Sequence, residues 1–319
     1  MSLEEFLAEW HSESPTMLVH TSGSTGRPKP MWVEKHRMEA SARMTLDFLG
    51  LKAGETALLC LPLDYIAGKM MVVRSLVGEL SLLPVEPTGH PLAGLDGSKG
   101  NIGFAAMVPL QVCNSLRVDV ERERLRRIGN LIIGGGAIEE SLEEKLRDFP
   151  NAVWSTYGMT ETLSHIAMRR VSGPEASSFY TPLPGVQVHV DEEQCLVIDA
   201  PQLHEGMLHT NDIVEMTGDG RFHILGRRDN VVCSGGLKIQ IEEVERRLSP
   251  YLDAAFVISK CKDERLGEVL LLLTESGDTD AVRAVCRERL PRYWQPREIR
   301  HVEKIPMTET GKPKRIDNG

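Results

Sequence analysis

Apolar and polar positions along the chain predict helices and strands in alternation. Apolar residues recur with helical spacing over Leu3–Trp10 and Glu34–Leu49, whereas Thr56–Leu61 is a continuous apolar run before Pro62, which is typical of a buried strand. Further helices are predicted at 68–78, 109–116, 119–127 and 139–148, and further strands at 17–20, 80–85, 102–106 and 130–133. This alternation favours a layered α/β sheet that binds ligands at the carboxyl ends of its strands.

The pattern changes near Thr181, where short strands and turns begin. Strands are predicted at 186–190, 195–199, 206–209, 213–216 and 221–225, with Gly218-Asp219-Gly220 as a hairpin turn. After Gly226 the pattern indicates helices at 241–248 and 279–289 and strands at 254–259 and 268–274. We therefore expect two domains. Residues 1–228 should form a large α/β domain with a β-rich part, and residues 229–319 a small α+β domain.

Composition and charge narrow the class of protein. The 319 residues are 41% hydrophobic and 26% charged, as in an ordinary globular protein, and the net charge of −9 disfavours nucleic acid and anionic membranes as partners. The first residues lack the pattern of a signal peptide, and no apolar run is long enough to span a bilayer. The six cysteines show no CxxC pair, so neither a disulfide framework nor a zinc site is expected. A cytoplasmic enzyme is predicted.

The segment from His20 to Lys29 is poor material for a helix or strand. It contains four hydroxyl side chains and two glycines, followed by Arg27-Pro28-Lys29. Backbone N–H groups and hydroxyls of such a loop can close around a phosphate chain while lysine supplies positive charge. The Walker pattern fails because Gly26 is followed by Arg27, and a plain Ser/Gly linker is the alternative interpretation. The loop predicts binding of a nucleoside triphosphate.

This loop resembles the phosphate-binding motif of the acyl-adenylate-forming (AMP-binding) superfamily. Four later segments resemble further motifs of the same superfamily. The later segments follow the order seen in that family: Tyr157–Thr162; Thr210-Asn211-Asp212; Gly226–Asn230 with Ser234-Gly235-Gly236; and Pro306–Lys312. The resemblance implies an acyl-adenylate-forming fold with a shortened N-terminal region and a mobile C-terminal domain. It also implies ATP-dependent formation of an acyl-AMP, and then of a coenzyme A thioester from a small carboxylic acid.

The resemblance assigns roles to particular residues. The ATP phosphates would be bound by Thr21, Ser22, Gly23, Ser24, Thr25, Gly26 and Lys29. The rest of the nucleotide would be bound by Gly135, Gly136, Ala137, Tyr157, Asp212 and Arg227. The catalytic residues would be Lys312, Thr160 and Glu161. Thr25 and Glu161 would bind Mg²⁺, since this cation prefers oxygen ligands. Asp229 would be the domain hinge, and Ser234, Gly235 and Gly236 would line the tunnel for coenzyme A.

Each of these residues also has a structural interpretation. Glu161 could stabilise a helix N-terminus, Asp212 could form a turn, Tyr157 could be a core aromatic, and Arg227 could be a surface charge. Lys314 and Arg315 are expected to be surface charges.

The substrate is indicated by two further matches. Two segments resemble the o-succinylbenzoate–CoA ligases of menaquinone synthesis: Gly134–Ala137, and Leu163-Ser164-His165, which follows Tyr157–Thr162. That acid carries a second carboxylate, which needs a cation or several donors, and Ser164, His165 and Arg169 are the candidates. A buried structural histidine and a solvated Arg169-Arg170 pair are the competing interpretations.

The chain also departs from the family. Only nineteen residues precede His20, where members carry a longer subdomain, so we expect a second protomer or a partner chain to cover the exposed face. Asn211 and Pro30 stand where glycine is usual. A stand-alone adenylation enzyme for another aryl or fatty acid, or for a carrier protein, remains open. A non-catalytic nucleotide-binding protein is disfavoured by the presence of Lys312, Glu161 and Thr160.

Overall fold

A computed structural model of the chain describes residues 1–20, 30–95 and 101–307, together with Pro313 and Arg315. These residues belong to two compact units. The first unit comprises Met1–His189, Val197–Leu208 and Met216–His223, and the second comprises Val190–Leu196, His209–Glu215 and Ile224–Gly319. The domain division expected at residues 228 and 229 stays a prediction.

The helices follow the predicted pattern closely, and local sequence explains several of their ends. Ser2 begins the first helix with a capping box to Glu5, and Gly50 ends the second with a left-handed φ of 66°. The α-helices in the described part of the chain are α1 (Leu3–Trp10), α2 (Lys35–Leu49), α3 (Ile66–Val77), α4 (Pro109–Leu116), α5 (Asp119–Leu125), α6 (Glu140–Arg147), α7 (Ile241–Leu248) and α8 (Thr279–Arg289).

The strands of the first unit belong mainly to a seven-stranded sheet. The strands up to residue 182 are β1 (Thr16–His20), β2 (Pro30–Glu34), β3 (Thr56–Leu59), β4 (Ser81–Pro84), β5 (Ile102–Met107), β6 (Asn130–Ile133), β7 (Ala152–Gly158), β8 (His165–Arg170) and β9 (Thr181–Pro182). The sheet order is β4-β3-β5-β6-β7-β8-β9, parallel from β4 to β7 and antiparallel from β7 to β9. The carboxyl ends of β5, β6 and β7 therefore lie at one edge, where β8 begins.

Helices cover this sheet as the alternating pattern predicted. Leu58, Met107 and Ile133 from the strands form one buried cluster with Val112 of α4 and Leu146 of α6. The layered α/β architecture predicted from the sequence is confirmed. At about 25 cal/mol per Å² of apolar surface, burial of such residues is the main stabilising term.

The later strands form two further sheets. Their bounds are β10 (Gln187–Val190), β11 (Cys195–Asp199), β12 (Met207–Met216), β13 (Phe222–Arg227), β14 (Val231–Ser234), β15 (Leu237–Gln240), β16 (Phe256–Asp263), β17 (Gly267–Thr274) and β18 (Glu298–His301). One sheet has the order β10-β11-β12-β13, and the other has the order β15-β14-β17-β16 with β18 parallel to β17. In the second unit, Val232 and Leu272 pack with Val244 of α7 and Cys286 of α8, which gives the predicted small α+β body.

Several strands differ from the sequence prediction. The sequence prediction lacked β2, β7, β8, β9, β14, β15 and β18. The strands predicted at 206–209 and 213–216 are the single strand β12. Exposure along β7 alternates, so the strand lacks the continuous apolar run that marked its neighbours. Pairing with β6 and β8 stabilises it instead.

Within the described ranges, none of the helices has the length and apolar character needed to cross a membrane.

Candidate active site

Two loops meet at the carboxyl edge of the seven-stranded sheet, and both contain predicted nucleotide-binding residues. Gly134–Ala137 follows β6, and Met159–Ser164 follows β7, which is parallel to β6. A Cβ at Gly134 would lie 2.4 Å from Thr156 Oγ1, so only glycine fits there. Gly135, with φ of 80°, and Ala137 are exposed at this edge. Their backbone is accessible to a ligand, and their contact with the nucleotide stays a prediction.

The turn after β7 is held by Thr162. Its Oγ1 accepts a hydrogen bond from Met159 N at 3.0 Å and lies 2.7 Å from the Ser164 carbonyl oxygen. Leu163 adopts a left-handed φ of 64°, a conformation that a leucine tolerates only where the surroundings impose it. A Cβ at Gly158 would lie 2.2 Å from the Ser164 carbonyl oxygen, so the chain closes tightly on itself. The motif is a compact, preorganised turn.

Thr160 and Glu161 occupy opposite environments within this turn. Thr160 is buried, whereas Glu161 is exposed, and none of the described residues forms a hydrogen bond or an ion pair with the Glu161 carboxylate. A carboxylate with open coordination positions suits Mg²⁺, which keeps several waters and takes phosphate oxygens as further ligands. No group of three or more metal-binding side chains occurs in the described ranges. Glu161 therefore fits the role of a single protein carboxylate on a phosphate-bound metal.

Tyr157 is packed among aromatic side chains. Its ring contacts Phe222 edge-on with centroids 5.3 Å apart and Tyr180 at 6.0 Å, and only 9% of the residue is exposed. The predicted stacking of Tyr157 on adenine stays a prediction, and any such contact would use the small exposed part of the ring.

A buried polar network joins α2, α3 and the start of β8. Arg74 donates from Nη2 to Ser164 Oγ at 2.6 Å and from Nε to Thr45 Oγ1 at 3.2 Å. His165 lies between the same two hydroxyls, 3.3 Å from Ser164 Oγ through Nδ1 and 3.0 Å from Thr45 Oγ1 through Nε2. A neutral His165 protonated on Nε2 satisfies all four hydrogen bonds, with Thr45 donating to the Ser41 carbonyl.

Charge in this network is incompletely balanced. Arg74 is 2% exposed, and within the described ranges no carboxylate forms an ion pair with it. Burial lowers the pKa of its guanidinium to about 9. Burial, and then the charge of Arg74, hold the pKa of His165 well below its usual value. The protein thus maintains a buried cation beside the two predicted substrate residues, Ser164 and His165.

Sequence reasoning missed Arg74 and proposed Arg169 instead. Arg169 donates to both carboxylate oxygens of Glu143, at 2.9 and 2.6 Å, and its guanidinium also lies over the Tyr180 ring. Arg169 is therefore neither a solvated charge nor a free cation, because Glu143 already neutralises it. A lone arginine inside the apolar run of α3 was the sequence signal for Arg74.

In the second unit, Asp212, Arg227 and Asp229 lie together. Arg227 Nη1 donates to Asp212 at 3.0 Å, and Nη2 donates to Asp229 at 2.8 Å. Asp212 is 8% exposed and its backbone N–H donates to Thr210 Oγ1, so the local turn orients it. The structure brings the predicted ribose and hinge residues together, but their roles remain predictions.

The unusual Asn211 takes part in the same cluster. Its amide Nδ2 donates to Asp229 at 3.2 Å, while its Oδ1 accepts from Arg228 Nη2 at 2.6 Å. Arg228 also forms an ion pair with Glu193. A glycine at position 211 could make neither side-chain contact, so this departure from the family adds a tie to the predicted hinge.

Ser234, Gly235 and Gly236 lie at a tight hairpin between β14 and β15. Ser234 pairs with Leu237, and both glycines have positive φ, 56° and 87°, as a two-residue hairpin of the primed type requires. Both glycines are exposed. Their predicted role in binding coenzyme A stays a prediction.

Two predicted groups lie outside the described residues: the phosphate loop, Thr21 to Lys29, and the catalytic Lys312. The strands that flank the phosphate loop, β1 and β2, pair antiparallel from Thr16 with Glu34 to His20 with Pro30. Arg315 is described and is not the surface charge expected, because it donates to both oxygens of Glu245 at 2.6 and 2.8 Å.

Two protein-family models match most of the chain. Residues 4–209 match the family described as AMP-binding enzyme, and residues 240–312 match the AMP-binding enzyme C-terminal domain. A 2-succinylbenzoate–CoA ligase from Lactococcus lactis is 23% identical over 96% of this chain and 71% of its own length. A feruloyl-CoA synthase from an Amycolatopsis species is 26% identical over 93% of this chain and 67% of its own length.

Solved structures show the same fold. An acyl-CoA synthetase (AMP-forming)/AMP-acid ligase II-like protein from Dyadobacter fermentans is 37% identical, with a TM-score of 0.68 over 97% of this chain and 90% of that one. The O-succinylbenzoate coenzyme A synthetase of Bacillus subtilis, in complex with ATP and magnesium ion, is 21% identical with a TM-score of 0.77 over 93% of this chain and 68% of that one.

Proposed function

The chain belongs to the AMP-binding enzyme family, and we propose that it is an AMP-forming ligase that joins a dicarboxylic aromatic acid of the 2-succinylbenzoate type to coenzyme A. The AMP-forming acyl–CoA ligase class follows from the family. The choice of acid is supported by relatives named 2-succinylbenzoate–CoA ligase, which are 23 to 26% identical. It depends above all on Arg74.

Arg74 supports a dicarboxylic substrate because its charge has no protein counterion in the described ranges. A guanidinium taken out of water costs several kcal/mol unless hydrogen bonds and an opposite charge compensate it. The hydroxyls of Thr45 and Ser164 supply only neutral acceptors. A carboxylate that arrives with the substrate would supply the missing charge. The carboxylate that is not activated would then be recognised by Arg74 with Ser164, while His165, neutral, orients the serine.

In the first half-reaction, a carboxylate oxygen attacks the α-phosphorus of ATP and pyrophosphate leaves. Two anions must approach, so positive charge and N–H donors must be in place before reaction. By the family resemblance, this charge comes from Lys29 of the phosphate loop and from Lys312. Glu161 would hold Mg²⁺ with Thr25. That metal would neutralise the β- and γ-phosphates, and the exposed Glu161 carboxylate, which pairs with none of the described residues, fits it.

The remaining nucleotide contacts are assigned to residues already oriented by their neighbours. Asp212 can accept hydrogen bonds from both ribose hydroxyls, and Arg227, which donates to Asp212, would keep that carboxylate oriented. The accessible backbone of Gly135, Gly136 and Ala137 would face the base and acyl group, with Tyr157 against the adenine. Thr160 would contact the reacting phosphate.

In the second half-reaction, the sulfur of coenzyme A attacks the acyl carbon of acyl-AMP, the acyl–phosphate bond breaks and AMP leaves. By resemblance, rotation about Asp229 would remove Lys312 and bring Ser234, Gly235 and Gly236 to the pantetheine arm. Both glycines are exposed at the β14–β15 turn, so backbone is available to a thin ligand.

A substrate comparison tests the proposal. We expect wild-type enzyme to release pyrophosphate with 2-succinylbenzoate, and its kcat/KM to fall about 100-fold for an analogue whose non-activated carboxylate is a carboxamide. Arg74→Met should abolish that discrimination, whereas Arg170→Met is the matched control, since Arg170 lies over the Trp154 ring. Equal loss with both acids in Arg74→Met would contradict the proposal.

The acceptor and the alternatives are decided in the same assay. Thioester formation with free coenzyme A is expected, and formation only with a holo carrier protein would identify a stand-alone adenylation enzyme. Activity with ferulate or fatty acids, and none with diacids, would replace the proposed substrate. ATP binding without acid-dependent pyrophosphate exchange across the panel would indicate a non-catalytic protein.

A further inference from the structure

The C-terminal segment is tied to the second unit by an ion pair between residues 70 positions apart. Arg315 Nη1 and Nη2 donate to the two oxygens of Glu245, at 2.6 and 2.8 Å, in the bidentate geometry that gives arginine its specificity for carboxylates. Only 26% of the arginine side chain and 24% of the glutamate side chain are exposed. Such a shielded pair is screened by salt much less than a surface pair.

The same two side chains also bind the backbone of β16. Arg315 Nη1 donates to the Ile258 carbonyl at 2.5 Å, and the Ile258 N–H donates to Glu245 Oε1 at 2.8 Å. Glu245 lies in α7, whose apolar face packs against Ile258 in the core of the unit. The tail is therefore attached to a rigid helix and strand rather than to another loop.

A second contact lies just before this anchor. Met307 and Pro313 form an antiparallel bridge, and the buried Ile305 donates its N–H to Glu275 at 2.8 Å. Residues 308–312 are thus bounded on both sides by attached residues. Lys312 directly precedes Pro313 and stands three residues before Arg315. Three residues span at most about 11 Å, so chain connectivity keeps position 312 within that distance of the anchored position 315.

We infer that Arg315, held by Glu245 and the Ile258 carbonyl, is a positioning residue for the adenylation half-reaction because it restrains Lys312. The inference depends on the proposed function, since Lys312 must be the adenylation lysine. When a group that bridges a carboxylate and a phosphate is misplaced by 1 Å, the rate of the reaction falls about 100-fold. Lys312 departs before the second half-reaction in the proposed mechanism, so the anchor should matter only for the first.

The test uses the full chain and measures the half-reactions separately. Acyl-AMP formation is followed as single-turnover pyrophosphate release at saturating ATP and acid, and thioester formation is followed from supplied acyl-AMP and coenzyme A. We expect Arg315→Met to slow the first about tenfold or more and the second less than about twofold, with little change in KM for ATP. Arg315→Lys, which keeps the charge but loses the bidentate geometry, should fall between wild type and Arg315→Met.

Arg300→Met is the matched control. Arg300 forms an exposed ion pair with Glu298 in the same unit, with Nη2 to Oε1 at 2.6 Å, and it lies in β18. The rates of both half-reactions in Arg300→Met should match those of wild type. If Arg315→Met does not fold, Arg315→Lys decides the same comparison.

A double variant separates positioning from general stabilisation. In a Lys312→Ala background the restrained group is gone, so adding Arg315→Met should cause no further loss of acyl-AMP formation. An additional tenfold loss of acyl-AMP formation in the Lys312→Ala background would overturn the inference. For Arg315→Met alone, an equal fall in the rates of both half-reactions, or no fall in either rate, would overturn it as well. Wild-type enzyme that makes no acyl-AMP, or Lys312→Ala that retains full activity, would instead refute the proposed function, and the inference with it.

Discussion

Arg227 donates one hydrogen bond to Asp212 at 3.0 Å and another to Asp229 at 2.8 Å, so a single guanidinium joins the predicted ribose-binding carboxylate to the predicted hinge. Asp212 is almost completely buried, whereas Asp229 is exposed. One guanidinium thus holds two carboxylates, and its hydrogen bond fixes the orientation of the Asp212 side chain.

Asp212→Asn should weaken ATP binding. The amide keeps the size of the side chain but loses the charge and one acceptor position, and hydrogen bonds to a charged group contribute about 1.5–3 kcal/mol each. We expect the Kd for ATP, measured by calorimetry, to rise about tenfold or more. Asp219→Asn, in the exposed turn before β13 where Asp219 pairs with Arg221, is the matched control and should leave the Kd unchanged. An unchanged Kd in Asp212→Asn would remove Asp212 from the nucleotide site.

Glu161→Gln should raise the Mg²⁺ requirement. The substitution preserves shape but removes the only charge that this side chain offers a hard cation. In a titration of Mg²⁺ at fixed ATP, half-maximal pyrophosphate release is expected at about tenfold higher Mg²⁺ concentration. Glu140→Gln, in the exposed first turn of α6, is the control. Identical titrations for Glu161→Gln and wild type would contradict the metal assignment.

His165 should make the fold sensitive to acid. Its folded-state pKa lies well below the ordinary 6.5, because burial and the Arg74 charge oppose protonation. Below pH 6.5 the unfolded chain therefore binds a proton that the folded chain does not, so stability falls as pH falls. Between pH 7.5 and 5.5 this group alone should cost about 1.4 kcal/mol.

Urea unfolding of wild type and His165→Gln at pH 7.5 and pH 5.5 measures how much His165 contributes to the pH dependence of the free energy of unfolding. The variant should be less stable at pH 7.5, since it loses hydrogen bonds, but its stability should change less between the two pH values. The same pH dependence in both proteins would mean that His165 takes up its proton as readily in the folded chain as in the unfolded chain.

Asn211→Gly should loosen the segment Arg227–Asn230. The change removes two side-chain hydrogen bonds, to Asp229 and Arg228, worth about 0.5–1.5 kcal/mol each. Local opening exposes the chain to proteases, so trypsin should cleave after Arg227 or Arg228 about tenfold faster. Cleavage after Arg265, in an exposed turn of the same unit, provides the internal reference. Equal rates at the hinge in both proteins would show that Asn211 does not restrain it.

Sequence patterns predicted the strong elements well. The continuous apolar runs of β3 and β6 and the spacing of α2, α4 and α8 correspond to the observed elements within a few residues. The strands β7 and β8 were missed because their residues are mixed in polarity, with Ser155 and His165 buried among apolar neighbours. Such strands are stabilised by pairing across the sheet, and a local window contains no information about the partner strand.

The candidate site shows the same limit in its arginines. Two were judged by their local surroundings, and a third was not considered. Arg169 was considered for substrate binding, but Glu143, 26 positions away, neutralises it. Arg315 was expected on the surface, yet Glu245, 70 positions away, binds it. Arg74 was not considered, because its partner Ser164 is 90 positions away.

The sequence by itself determined the family and the chemistry available: the order of the motifs, the hydroxyl-rich loop and the acidic and basic residues assigned to ATP. Those properties depend on residue type and spacing, which are local. Only the tertiary structure decided which charges are balanced, because an arginine keeps its charge on the surface or in the core. Its free energy depends on burial and on the groups that folding brings within hydrogen-bond distance. The anchored Arg315 and the buried Arg74, which forms an ion pair with no carboxylate of the described residues, are consequences of that packing.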